Sequence, residues 1–204
     1  MTGSISVRLR DLKAEYEQLW NSCEIKPENL SQTQQIVATI ISNRPTYEAL
    51  QQKINVPWYF VAVIHNMESS LKFTRHLHNG DSLKKRTVNV PSGRPIPEPL
   101  NGWNEGYTWE ESAIDALILK EFHKVKDWSL SAQLWQLERY NGFGYRLYHP
   151  EVLTPYLWSS TNQYTKGKYT ADGKWDDDAV SAQIGVAALY KILIPAENLE
   201  IEIA

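Results

Sequence analysis

The chain has 204 residues, of which 42% are hydrophobic, enough to bury a continuous core in one domain or two small ones. A net charge of −3 with no long run of Lys or Arg excludes bulk attraction to nucleic acid or to anionic lipid. A single cysteine, Cys23, excludes an internal disulfide, suits a reducing compartment and reads as a small core residue.

Residues 1 to 10 lack the apolar stretch of a secretory signal, and no segment approaches the length that spans a bilayer. The expectation is synthesis in the cytoplasm without a signal peptide and without membrane insertion. Residues 7 to 22 place Leu9, Leu12, Tyr16, Leu19 and Trp20 at helical spacing, and residues 31 to 42 do the same with Ile36, Val37, Ile40 and Ile41. Ser31 is the expected cap of that second helix, and Asn43, Arg44 and Pro45 end it before a short third helix near 46 to 53. From Pro57, which suits a helix start, an almost wholly apolar run predicts a buried helix to Ser69.

Residues 79 to 104 carry Asn-Gly, Ser-Gly and four prolines, which predicts a loop-rich segment with a short hairpin around 86 to 90. Thr108-Trp-Glu-Glu111 is a capping-box pattern that opens a helix through Phe122. Another helix is predicted over about 129 to 140, ended by Gly142 and Gly144. A loop rich in Tyr, Trp, Asn and Ser follows to Trp175. The last helix is predicted to start near Asp176 to Asp178 and to bury Val180, Ile184, Ala187, Ala188 and Ile192. The sum is a mainly α domain whose two long irregular segments can face each other across a groove.

The chemistry concentrates after the apolar run. Glu68 stands at its last turn, where desolvation disfavours the charged form and raises the pKa of a carboxyl. A rise from about 4.3 to about 6 corresponds to roughly 2 kcal/mol and yields a proton donor at neutral pH. Asp81 follows about a dozen residues later in a polar glycine-bearing turn and is expected to ionise easily. One protonated and one ionised carboxyl are what cleavage of a glycosidic bond requires. The structural alternatives are a Glu68 paired with Arg86 or Arg94, and an Asp81 that bonds nearby backbone N–H groups. His65, Glu68, His76, His78 and Asp81 also suggest a metal site, hence a zinc peptidase or amidase, although the spacing matches neither His-Glu-x-x-His nor its variants. For the histidines, hydrogen bonding that orients the Glu68 loop is the milder reading.

The order Glu68-Ser-Ser70, His76-Leu-His-Asn-Gly-Asp81, Tyr140-Asn-Gly-Phe-Gly-Tyr-Arg146 and Pro155-Tyr-Leu-Trp-Ser159 resembles the lysozyme-like superfamily, in particular phage and bacterial muramidases. The Glu-Ser pair and Tyr140-Asn141-Gly142 are also similar to goose-type lysozymes and lytic transglycosylases. The resemblance covers most of the chain after residue 50. It implies a two-lobed helical domain over 55–204, with a small loop or β-hairpin segment bordering a substrate groove, and residues 1–54 as extra helices.

It further implies cleavage of the β-1,4 bond between N-acetylmuramic acid and N-acetylglucosamine in peptidoglycan, with Glu68 as acid and Asp81 as second carboxylate. His78, Thr87, Tyr140, Asn141, Tyr145, Tyr156 and Trp158 are the implied substrate contacts. No cofactor and no metal are expected. The partners are peptidoglycan strands and a delivery or secretion machinery that carries the protein to the wall. A lytic transglycosylase on the same bond, a metal-dependent wall peptidase or amidase, and a glycan-binding module without catalysis remain as alternatives.

Overall fold

The computed structural model describes residues 6–171 and 173–202. Residues 1–5 of the expected N-terminal segment, and Asp172 and residues 203–204 of the expected catalytic domain, lie outside the described residues. The chain is mainly helical, about half of it in helices, with a small two-stranded antiparallel sheet. Its contacts divide it into two compact units, Met1–Val37 with Asp127–Ala204, and Ala38–Lys126. The expected boundary at residue 54 therefore falls inside the second unit, and the N-terminal helices belong to two different units.

The first unit holds α1 (Leu9–Asn21), α6 (Leu130–Asn141), α7 (Gly144–Tyr148), α8 (Pro155–Trp158), the strands β1 (Lys168–Ala171) and β2 (Lys174–Asp176), and α9 (Val186–Ala196). α6 packs against both α1 and α8, and α8 against α9. Tyr16, Trp158, Leu134, Leu137, Tyr190 and Leu193 fill its core, and Cys23 is buried there as well. Each fully buried large apolar side chain contributes about 1.5–3 kcal/mol. A polar knot accompanies them: Glu138, nearly inaccessible, accepts from Arg146 through both oxygens, at 3.0 and 2.8 Å, and from the Tyr16 hydroxyl.

The second unit holds α3 (Arg44–Ile54), α4 (Trp58–Ser69) and α5 (Trp109–Leu119), while α2 (Leu30–Ser42) straddles the division. α3 packs on α4 and α5. α4 is apolar on all sides from Trp58 to Ile64 and buried apart from Tyr59 and Glu68, as such a helix must be. α5 begins with the capping box read from the sequence, in which the Thr108 hydroxyl accepts from the Glu111 N–H at 3.2 Å and the Glu111 carboxylate from the Thr108 N–H at 2.7 Å.

Four local expectations are corrected. Ser31 lies inside α2 because a short 3-10 turn, Pro27–Asn29, leads directly into the helix. Residues 86–90 form no strand; Thr87 exchanges backbone contacts with Arg94 and Gly93 instead. The loop from 143 to 175 contains α7, α8 and the β1–β2 hairpin. The last helix starts at Val186 rather than near 176, because the Asp176 side chain accepts from the N–H groups of Asp178 and Ala179 and makes a turn, leaving Val180 exposed. Gly185 precedes that helix where a Cβ would sit 2.7 Å from the Leu157 carbonyl oxygen, so only glycine fits.

Candidate active site

α4 delivers Glu68 on its last turn, half-buried, at the end of a helix whose residues other than Tyr59 and Glu68 are buried. At a helix C-terminus the backbone carbonyls disfavour a negative charge. The helix stops abruptly. Ser70 and Leu71 both adopt left-handed φ values, 51° and 60°, and the Leu71 N–H turns back onto the His65 carbonyl at 3.3 Å. Two non-glycine residues in that region cost about 1–2 kcal/mol each, and such strain concentrates at sites that need a fixed backbone. Ser69 completes the end by donating its hydroxyl to the His65 carbonyl at 3.1 Å.

The following loop is seated on this helix end. A Cβ on Gly80, whose φ is +75°, would lie 2.6 Å from the Glu68 carbonyl oxygen, so the loop approaches as closely as it does only because residue 80 is glycine. Asp81 is next. Its N–H donates to the Asn79 side chain at 3.0 Å, and its carbonyl accepts from the His76 N–H at 2.7 Å. One Asp81 carboxylate oxygen accepts from the N–H groups of Val88 and Asn89, at 2.8 and 3.0 Å, and the other from the Asn89 amide at 2.7 Å. Burial pushes this carboxyl up, but the Asn89 and Val88 donors outweigh it and hold its pKa below the usual carboxylate range. Asp81 is therefore an anion at neutral pH, as expected, and it clamps the loop of residues 76–81 to that of 87–94.

His78 and Thr87 do not face a ligand. The His78 ring is buried, with 6% of the residue exposed, and its Nε2 meets Asp115 at 2.8 Å. Thr87, 3% exposed, accepts from the Arg94 N–H at 2.9 Å and donates to the Pro91 carbonyl. Both are internal ties, which corrects their assignment as substrate contacts. Arg94 grips Asp115 with Nε and Nη2, each at 2.8 Å, while Arg86 donates to the carbonyls of Pro95 and Ile96.

Burial pushes Asp115 up, and the bond from His78 with the charge of Arg94 overcomes it, leaving the pKa lowered. Ser112, one turn earlier on α5, accepts from the Leu77 N–H at 3.1 Å and donates to Nδ1 of His76 at 2.8 Å. Nε2 of His76 keeps its proton for the Lys85 carbonyl at 2.8 Å. Sequence reading missed Ser112 and Asp115. Both lie on a helix more than thirty residues downstream of the histidines they hold.

An open cleft of about 450 Å³ lies in the same unit, between residues 73–75, 82–84 and 105–109. Phe73, Tyr107 and Trp109 give it aromatic walls, Arg75, Lys84 and Glu105 give it charge, and Thr74, Ser82 and Thr108 give it hydroxyls. Mixed aromatic and hydroxyl surfaces are what the C–H and O–H faces of sugars pack against. Among the described residues no group of three His, Cys, Asp or Glu is arranged to hold a metal ion; His65, for one, is turned to the Tyr47 hydroxyl at 2.9 Å. Among the same residues no helix is long and apolar enough to cross a membrane.

The remaining predicted contacts belong to the first unit. Trp158 is 0% exposed, a core residue whose ring faces are already covered, which corrects its reading as a stacking platform. Tyr140 and Tyr156 are buried, and the buried Tyr145 accepts the Tyr169 N–H on its hydroxyl at 3.3 Å. Asn141 is exposed and ends α6, with Gly142 as its cap at φ 96°. Compared with protein-family models, curated proteins and solved structures, the chain matches none.

Proposed function

We propose that the protein is a peptidoglycan hydrolase of the muramidase type, with a lysozyme-like catalytic arrangement and Glu68 as the general acid. The observation that carries this reading is the Glu68 helix end. A half-buried carboxyl closes an apolar helix, its backbone is strained, and a glycine loop bearing the ionised Asp81 is seated on its carbonyl. The order of motifs from Glu68 to Ser159, which resembles muramidases, supports it independently.

In this mechanism Glu68 gives its proton to the bridging oxygen as the bond from that oxygen to the anomeric carbon breaks. The positive charge on the ring is stabilised by the Asp81 anion, and water adds to the anomeric carbon, returning a proton to Glu68. The aromatic cleft of the same unit, whose lining includes neither Glu68 nor Asp81, is the surface proposed for the flanking sugars. A second reading is favoured by one observation: both Asp81 oxygens already accept bonds from the loop. With that carboxylate committed, the substrate's own acetamido oxygen would attack the anomeric carbon as the bond to the bridging oxygen breaks; the C6 hydroxyl would then displace it, giving its proton to Glu68, and the outcome would be an anhydro-sugar, as in a lytic transglycosylase.

Incubation with purified sacculi tests both. New reducing ends are the expected product, anhydro-ends select the second reading, and free amines or carboxyls, or no soluble product, overturn the glycosidase assignment. Delivery to the wall by a lysis or secretion machinery is part of the same proposal.

A further inference from the structure

We propose that Asp115 is the positioning residue of the Glu68 site, acting from α5 by holding the two loop segments between which Asp81 is clamped. The inference rests on the glycosidase reading for its kinetic consequence, but its structural half stands on the geometry alone. His78 lies three residues before Asp81, and Arg94 lies at the far end of the segment whose Val88 and Asn89 N–H groups grip the Asp81 carboxylate. Both converge on one carboxylate: His78 at 2.8 Å, Arg94 through two parallel bonds of 2.8 Å.

A bidentate guanidinium fixes direction as well as distance, and burial strengthens it. The Asp115 side chain is only 11% exposed and that of His78 1%. Ser112 reinforces the same helix face by capturing the Leu77 N–H beside His78. Since Gly80 rests on the Glu68 carbonyl, a loop anchored by α5 also sets where Asp81 stands relative to the acid. Asp115 itself touches no reacting atom in this account. Its effect passes through His78 and Arg94 to the loops.

The test combines hydrogen exchange and kinetics on the full chain carrying Asp115→Asn, with Arg94→Lys as a milder variant that keeps the charge and loses the fork. Exchange of the Val88 and Asn89 amides is expected to quicken about tenfold or more while the α4 amides keep their protection. Glu110→Gln, which removes the surface pair with Lys53 on the same first turn of α5, should leave those two amides unchanged. Against sacculi, kcat is expected to fall about 10- to 100-fold with little change in KM. The same substitution added to Asp81→Asn should cost little more, because both act on one clamp.

Unchanged exchange at Val88 and Asn89 in both variants overturns the proposal, as does a kinetic loss that multiplies fully with that of Asp81→Asn. A wild-type protein that leaves sacculi intact removes the glycosidase reading alone, and the exchange result then still decides the role of Asp115.

Discussion

Single residues in the second unit carry charge states that their surroundings dictate. His65 is 0% exposed, wedged among Tyr47, Phe73 and Trp109, and burial pushes its pKa down to about 4. It is neutral in the fold and protonates in the unfolded chain below about 6.5, so the stability it contributes is complete above that pH and is lost as the pH falls toward 4. The full loss amounts to about 3 kcal/mol. His76, lowered by burial in the same direction, adds to it.

The thermal midpoint is therefore expected to drop between pH 6.5 and 4, before the carboxylates of Asp81 and Asp115 titrate. His65→Gln, which keeps a partner for the Tyr47 hydroxyl, should flatten that limb. A wild-type midpoint that is level over this range would contradict the burial argument. Trp158 makes the complementary case in the first unit. Its complete burial predicts that Trp158→Ala costs about 3–5 kcal/mol in denaturant unfolding, whereas a near-neutral change would return the residue to the list of ligand contacts.

Elements explain what could be read ahead of the structure. α4 and α5 were legible because their signals are local: an uninterrupted apolar run after Pro57, and a Thr and a Glu three apart. Asp176 to Asp178 carry the charges of a helix start, yet the Asp176 side chain makes a turn and Gly185 must precede Val186 to clear Leu157, so the last helix starts ten residues later than those charges predict. Only the resemblance makes His78 a ligand contact; its hydrogen-bonding role is open to the sequence, but nothing near it announces Asp115 as the partner. The place of Glu68 at the end of α4 was legible and the frame around it was not, since that frame is built from partners brought together only by folding. The seat of the loop on α4 can be tested directly. Gly80→Ala forces a Cβ into the Glu68 carbonyl at a left-handed φ and should cost about 1–3 kcal/mol. Chemical denaturation measures it, and an unchanged midpoint would mean that the loop does not rest where the geometry puts it.

At the scale of the whole molecule, the two compact units divide the predicted site residues between them: Glu68, His78, Asp81 and Thr87 in one, Tyr140, Asn141, Tyr145, Tyr156 and Trp158 in the other. The chemistry proposed here needs only the first group, and within it only Glu68 gives and takes a proton. The most direct test is the rate at which wild-type protein and Glu68→Gln release new sugar ends from sacculi, with matched circular dichroism and thermal midpoints to establish that both are folded. A loss of about 10²- to 10⁴-fold is predicted for a missing general acid. A folded Glu68→Gln protein that turns over sacculi at the wild-type rate would contradict the account.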